Sequence, residues 1–167
     1  MLANAAILFL AAMMLAAAYT DLRGYTIPNW IPGVIVLAWP LAALIFSLSW
    51  TEAGLALAAG VAVLAAMMTL WALGGIGGGD AKLIAAGALW FGWPDAFAFL
   101  LASAVAGGVL ALGLVLMRRF GPVFAPGATG LFAAGPLRAG APAPYAVAIA
   151  AGALWTLPSS GLAAALG

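Results

Sequence analysis

Long apolar runs recur from one end of this chain to the other, and they decide which solvent it can fold in. A helix needs about 20 apolar residues to cross a hydrocarbon core of about 30 Å. Only 5% of the 167 residues are charged, whereas soluble domains carry roughly 25%. The charges are therefore too few to cover a surface exposed to water. We predict an all-α, polytopic integral membrane protein.

About six runs are predicted to cross the membrane, in a single domain that covers residues 1–167. They comprise residues 2–19, 31–49, 53–73, 81–92, 96–117 and 145–157. Pro40 is expected to kink the second run. The fourth is the shortest, since twelve residues of helix extend only about 18 Å. The stretch 118–143 is rich in Gly and Pro, and we predict that it forms a cytoplasmic or membrane-surface loop.

The basic residues agree with six spans. With that number, all five Lys and Arg residues fall on one side of the membrane, which the positive-inside rule makes cytoplasmic. The amino terminus is then predicted to lie outside. No Lys or Arg precedes the first run, so we expect a retained helix rather than a cleaved signal peptide. Glu52 and Asp95 fall on the other side.

The composition excludes several kinds of chemistry. The chain has no Cys and no His, which excludes disulfides, thiol nucleophiles, Cys/His zinc sites and His-based triads. A net charge of +1 gives no indication of nucleic-acid binding. We expect no metal and no cofactor. Acid–base chemistry is left to the four carboxylates, a Lys, a Tyr or water.

Two carboxylates are predicted to meet at one membrane face. Asp21 closes the first helix on the cytoplasmic side, and Asp80 opens the fourth on that same side. Two close carboxylates can share a proton, as in aspartic proteases, where the ionised one takes a proton from water and the protonated one binds the scissile carbonyl. Asp80 could instead be an ordinary helix N-cap, and Asp21 a polar residue at the membrane edge. Paired acidic residues would also suit a small transporter or channel. A catalytically silent assembly factor is a third reading.

Three segments resemble those of type IV prepilin peptidases. They are DLRGYTIPN at 21–29, GGGDAKL at 77–83, which resembles the GxGD segment, and PYAVAIAAGA at 144–153. The resemblance implies the GxGD aspartyl protease fold and an endopeptidase of the bacterial inner membrane. Such enzymes cleave the leader from prepilins or pseudopilins at the cytoplasmic face. It also implies that Asp21 and Asp80 are the catalytic pair. The chain resembles the short form of tight-adherence (Flp) pilus systems, which implies no N-methyltransferase activity.

The neighbouring residues are assigned supporting roles. The resemblance implies that Gly77 and Gly79 shape the turn that presents Asp80, with Gly78 in the same supporting active-site loop. Glycine at 77 and 79 admits backbone conformations closed to other residues. Five more residues are predicted to support the site. Pro28 and Asn29 are expected to fix the start of the second helix, Arg23 to anchor the topology, and Tyr145 to mark the membrane interface. Lys82 is expected on a different helix face from Asp80, where it would contact lipid phosphate or a distant carboxylate.

Overall fold

The computed structural model describes residues 1–124, 135–138 and 140–164. Every regular element in these ranges is helical, which confirms the all-α prediction. The α-helices are α1 (Leu2–Gly24), α2 (Trp30–Ile45), α3 (Trp50–Ala72), α4 (Gly78–Phe91), α5 (Asp95–Phe124), α6 (Tyr145–Thr156) and the single turn α7 (Gly161–Ala164). Two 3-10 turns, Gly135–Leu137 and Leu157–Ser159, complete the fold.

Within the described residues, three helices are long and apolar enough to cross a membrane. They are Leu2–Gly24, Trp50–Ala72 and the Asp95–Gly121 part of α5, with hydropathies of 2.0, 2.1 and 2.4. Trp30–Ile45 and Tyr145–Ser159 are apolar but shorter. At 14 residues, α4 extends only about 21 Å. The six-span topology, with the amino terminus outside, stays a prediction.

Several predicted boundaries differ from the structure; α1, for example, continues to Gly24 rather than ending at residue 19. The second helix ends at Ile45 rather than residue 49, because Ser49 caps α3: Glu52 N donates to Ser49 Oγ at 3.3 Å, and Ser49 N donates to Glu52 Oε2 at 2.8 Å. The fifth helix continues through its two Arg residues to Phe124, because Arg favours helix and does not end one.

The predicted loop 118–143 therefore begins later than expected. Arg118 is helical, and its Nε and Nη2 donate to the Pro136 carbonyl at 3.0 and 2.6 Å. These bonds hold the short turn Gly135–Leu137 beside α5. Residues 125–134 and 139 of the predicted loop lie outside the described residues.

The short helix α4 lies at the centre of the bundle. In α4 every residue from Leu83 to Phe91 is buried, and α2, α3, α5 and α6 all pack against it. Trp90 Nε1 donates to the Ile35 carbonyl at 2.8 Å, which ties α4 to α2. Because α4 is surrounded by other helices, it does not have to match the bilayer thickness, which explains its length.

One face of α1 leads directly to Asp21. Its buried residues recur at helical spacing and are Ala6, Leu10, Met14, Ala17, Ala18 and Asp21. This face packs against α6 and α2. Asp21 follows Ala17 by four positions and Ala18 by three, so the same periodicity that buries the apolar side chains also buries the carboxylate.

Close packing of α5 on α6 depends on Gly152. A Cβ added there would lie 2.5 Å from Ser103 N and 2.7 Å from Ser103 Cα, and would also meet Ser103 Oγ. We expect Gly152→Ala to destabilise the fold by about 1–3 kcal/mol, because two backbones would have to move apart. The thermal unfolding midpoint in detergent measures the effect. Gly113→Ala is the control, since a Cβ at Gly113 meets nothing within 4 Å. Equal midpoints for the two variants would contradict the prediction.

Candidate active site

Asp21 is held by the start of the last long helix. It lies in the last turn of α1 with only 6% of its surface exposed. Its Oδ2 accepts a hydrogen bond of 2.9 Å from the backbone N–H of Ala146, the second residue of α6. The first turn of a helix has N–H groups without intrahelical partners, which makes it a natural place to hold a carboxylate. The bond fixes one carboxylate oxygen.

Asp80 lies in the first turn of α4 rather than at its cap. The helix begins at Gly78, and Gly77 is the N-cap residue, so the structure does not support the N-cap alternative for Asp80. The carboxylate turns back towards Gly77: a Cβ added there would lie 2.7 Å from Asp80 Oδ2. The other oxygen, Oδ1, is buried and has no hydrogen-bond partner in the described part of the chain.

The expectation that Gly77 and Gly79 use backbone conformations closed to other residues is wrong, since neither has a positive φ. The glycines of the 77–79 segment act through their small size and allow close approach on three sides. A Cβ at Gly79 would lie 3.0 Å from Ile27 Cβ, and one at Gly78 would lie 3.2 Å from Trp71 Nε1. The segment therefore packs tightly against both the α1–α2 connection and the end of α3. This contact brings the start of α4 beside the end of α1.

Both carboxylates line one small cavity. Its volume is about 210 Å³, and its walls come from the end of α1, the α1–α2 connection and the start of α4. The lining residues are Asp21, Tyr25, Thr26, Ile27, Gly77, Gly78, Gly79 and Asp80. The structure thus brings together the two predicted catalytic residues and the three predicted glycines. A cavity of this size has room for several water molecules.

The two carboxylates influence each other. Asp80 precedes the apolar part of α4 and lies outside the three long apolar helices. Burial raises the pKa of Asp80 from 3.8 to about 6; the negative charge of Asp21 adds to the rise, and the nearby Gly77 N–H opposes it. Below about pH 6 the pair can therefore hold one proton between two carboxylates.

A family comparison agrees with this geometry. The model of the type IV leader peptidase family matches residues 8–112, which is more than half of the chain and includes both aspartates. The chain belongs to the type IV leader peptidase family. It is therefore a membrane peptidase, and the family predicted from the three segments is confirmed. Comparisons with curated proteins and with solved structures found no match.

In this leader peptidase family member, Lys82 has a different partner from those expected. Its Nζ donates to Asn29 Oδ1 at 2.9 Å, so within the described residues it contacts an amide rather than a carboxylate. Asn29 is the N-cap residue of α2, and the preceding Pro28 carbonyl accepts from Ile31 N at 3.0 Å. The pair joins the starts of α2 and α4 close to Asp80. Neither Lys82 nor Asn29 lines the small cavity.

The remaining predicted supports lie outside the small cavity. Arg23 stacks over the Tyr19 ring, with its guanidinium carbon 5.1 Å from the ring centroid. Tyr145 is 43% exposed and lines a second, larger cavity that also contains Asp80. No group of three Asp or Glu side chains that could hold a metal ion occurs among the described residues.

Two features of the peptidase site were not among the predicted site residues. Tyr25 lines the small cavity, its Oη is buried with no partner in the described ranges, and its backbone is left-handed with φ 52°. That conformation is uncommon outside Gly, Asn and Asp. The available signal for Tyr25 was its place within the segment DLRGYTIPN at 21–29. The hydrogen bond from Ala146 N–H to Asp21 had no signal in the sequence, because any residue except Pro carries that donor.

Proposed function

We propose that this chain is an aspartyl endopeptidase that removes the leader from type IV prepilins or pseudopilins, with Asp21 and Asp80 as its catalytic pair. The observation that carries the proposal is the shared cavity of about 210 Å³, which holds both carboxylates inside an otherwise apolar bundle. Carboxylates buried among apolar side chains are costly, so a pair of them facing one cavity is best explained by chemistry.

The proposed reaction uses one proton and one water molecule. The ionised carboxylate takes a proton from water as the water oxygen attacks the scissile carbonyl carbon, while the protonated carboxylate donates a hydrogen bond to the carbonyl oxygen. The C–N bond then breaks as the nitrogen receives the proton that the base carboxylate took from water, and the water oxygen remains in the new carboxyl group of the leader. Asp80 suits the protonated role, because its pKa is raised and its Oδ1 lacks a partner in the described residues. Asp21 suits the role of base, with its second oxygen held by Ala146.

We further propose that cleavage takes place at the cytoplasmic face of the bacterial inner membrane. The basic residues Arg23 and Lys82 lie within two positions of Asp21 and Asp80 in sequence, and the positive-inside rule favours that side. The sequence resemblance favours Flp-type prepilins as substrates and a chain without N-methyltransferase activity. No metal and no cofactor enter the proposed reaction.

A cleavage assay tests the proposed function. The purified chain, in lipid vesicles, is incubated with a Flp-type prepilin, and mass spectrometry identifies the new amino terminus. Release of the intact leader by hydrolysis of one peptide bond is the expected result. Ion flux through the same vesicles without any cleavage would overturn the proposal in favour of a transporter or channel.

The rate of cleavage should fall as the pH rises. The pKa of Asp80 is raised to about 6. Asp80 therefore carries the proton that it donates in a hydrogen bond to the carbonyl oxygen below that pH, and it loses this proton above it. Above the pKa the rate constant should fall about tenfold per pH unit, as expected for loss of one essential proton. Single-turnover rates between pH 5 and 9, with the thermal midpoint recorded at each pH, measure this. A rate that rises steadily over the range would contradict the assigned role.

A further inference from the structure

A second cavity opens from the same catalytic carboxylate. It is a groove of about 520 Å³ between α3, α4, α5 and α6, and Asp80 lines both the groove and the small cavity. Apart from Asp80, its walls carry no charged residue. On α5 it reaches from Leu100 to Ala111, a length of about 16 Å along the helix axis. The groove is therefore an elongated apolar path that ends at the reacting group.

The wall formed by α5 is made of small residues. Ala104, Gly107, Gly108 and Ala111 all line the groove at spacings of three or four residues. A Cβ added at Gly108 meets nothing within 4 Å, so the backbone of α5 is open to the groove there. Small residues at this spacing allow the backbones of two membrane helices to approach closely.

The opposite wall is formed by α3. Both α3 and α5 pack against α4, but they make few contacts with each other among the described residues. Met67 lines the groove from α3, and Gly75 and Ile76 line it just before the catalytic segment begins. The result is a cleft between two helices, with the buried helix α4 as its floor.

We propose that this groove binds the apolar helix of the prepilin-type substrate, with the helix packed on the small face of α5 and its leader end directed at Asp80. The proposal rests on the proposed function and assigns it a docking surface. We choose this occupant because Asp80 lines both the groove and the small cavity. When the substrate's apolar helix lies in the groove, the leader segment that precedes this helix reaches the two carboxylates. A lipid acyl chain would also fill apolar space, but it does not require a wall of small residues that exposes the helix backbone, whereas a packed helix does.

One carboxylate oxygen of Asp80 has no hydrogen-bond partner among the described residues. Asp80 Oδ1 is buried and makes no hydrogen bond within the described ranges. Buried polar atoms are normally hydrogen-bonded. The carbonyl of a peptide that leaves the groove towards the small cavity would supply the missing partner once Asp80 is protonated.

Two matched glycine variants on one helix test the groove. Gly108→Leu places a large side chain in the groove, whereas Gly113→Leu adds the same side chain at an exposed glycine that does not line it. A full-length prepilin and a short peptide that contains only the leader and the cleavage site serve as substrates. We expect Gly108→Leu to raise KM for the prepilin at least tenfold, to leave kcat little changed, and to leave cleavage of the short peptide unchanged. Gly113→Leu should behave as the parent chain.

The outcomes separate the groove from the proposed function. Equal KM values for the prepilin in the two variants would overturn the groove and leave the peptidase intact. If the parent chain cleaves neither substrate, the proposed function fails and the groove proposal fails with it. Should Gly108→Leu not fold, a benzophenone side chain in place of Ala104 gives a second measurement. Photocrosslinking to the prepilin's apolar helix there, but not from position 113, supports the proposal, and crosslinking to lipid alone rejects it.

Discussion

Replacing either Asp21 or Asp80 with Asn is expected to lower the rate of leader cleavage by about 10⁴-fold, the upper range for loss of a general acid or base. Asn cannot take a proton from water, and its amide is a far weaker acid than a carboxyl group. Each variant would therefore lose one of the two roles that share the cavity of about 210 Å³. Single-turnover cleavage of a prepilin, followed by mass spectrometry, measures the loss.

Both variants should fold. The amide oxygen of Asn at position 21 can still accept the bond from Ala146 N–H, which is 2.9 Å long in the parent chain. At position 80, burial disfavours the charged form, so a neutral amide should cost no stability above pH 6. Thermal midpoints at pH 8 are expected to match or exceed that of the parent chain.

Asp95→Asn is the matched control. The Asp95 carboxylate lies beyond the opposite end of α4 from Asp80 and accepts a hydrogen bond of 2.6 Å from Gly161 N–H. An Asn oxygen can accept the same bond. The chemical change is identical, but the residue lines neither the small cavity nor the groove. Cleavage should therefore stay within about twofold of the parent rate. If either active-site variant retains as much activity as Asp95→Asn, that aspartate has no part in the mechanism.

Gly77→Ala is expected to reduce the cleavage rate constant by about 100-fold, since small displacements of catalytic groups cost that much. A Cβ at position 77 would lie 2.7 Å from Asp80 Oδ2, which is too close for any real contact, so the carboxylate would have to turn away. The backbone at Gly77, with φ −69° and ψ 142°, is open to Ala. The loss should thus arise from the position of Asp80 and not from backbone strain. It should be seen in kcat, with KM for the prepilin little changed.

Gly54→Ala provides the comparison for that variant. A Cβ at Gly54 meets nothing within 4 Å, so the same substitution in α3 should leave both rate and stability unchanged. Far-UV circular dichroism and the thermal midpoint check that Gly77→Ala keeps the parent fold. A fully active Gly77→Ala variant would show that Asp80 does not need its position beside the Gly77 N–H.

Local features of the sequence were enough to predict the fold class and the family. Apolar runs without enough charge to face water specify membrane helices, because the cost of unpaired backbone groups in lipid leaves few alternatives. The glycines of the 77–79 segment directly precede Asp80 in the sequence, so this short motif was sufficient to identify Asp80 as a candidate site residue. The spacing of buried residues in α1 also determines that Asp21 faces inward.

Contacts between distant segments were decided only by tertiary packing. The bond from Ala146 N–H to Asp21 joins residues 125 positions apart, and the bond from Lys82 to Asn29 joins residues 53 positions apart. The burial of α4 on all sides brings together helices from both halves of the chain. A backbone N–H is the same for almost every residue, and Lys reaches partners in many directions. The amino-acid sequence by itself therefore determined which residues are acidic, apolar or small. Only the packing of the helices decided that two of those acids share a cavity.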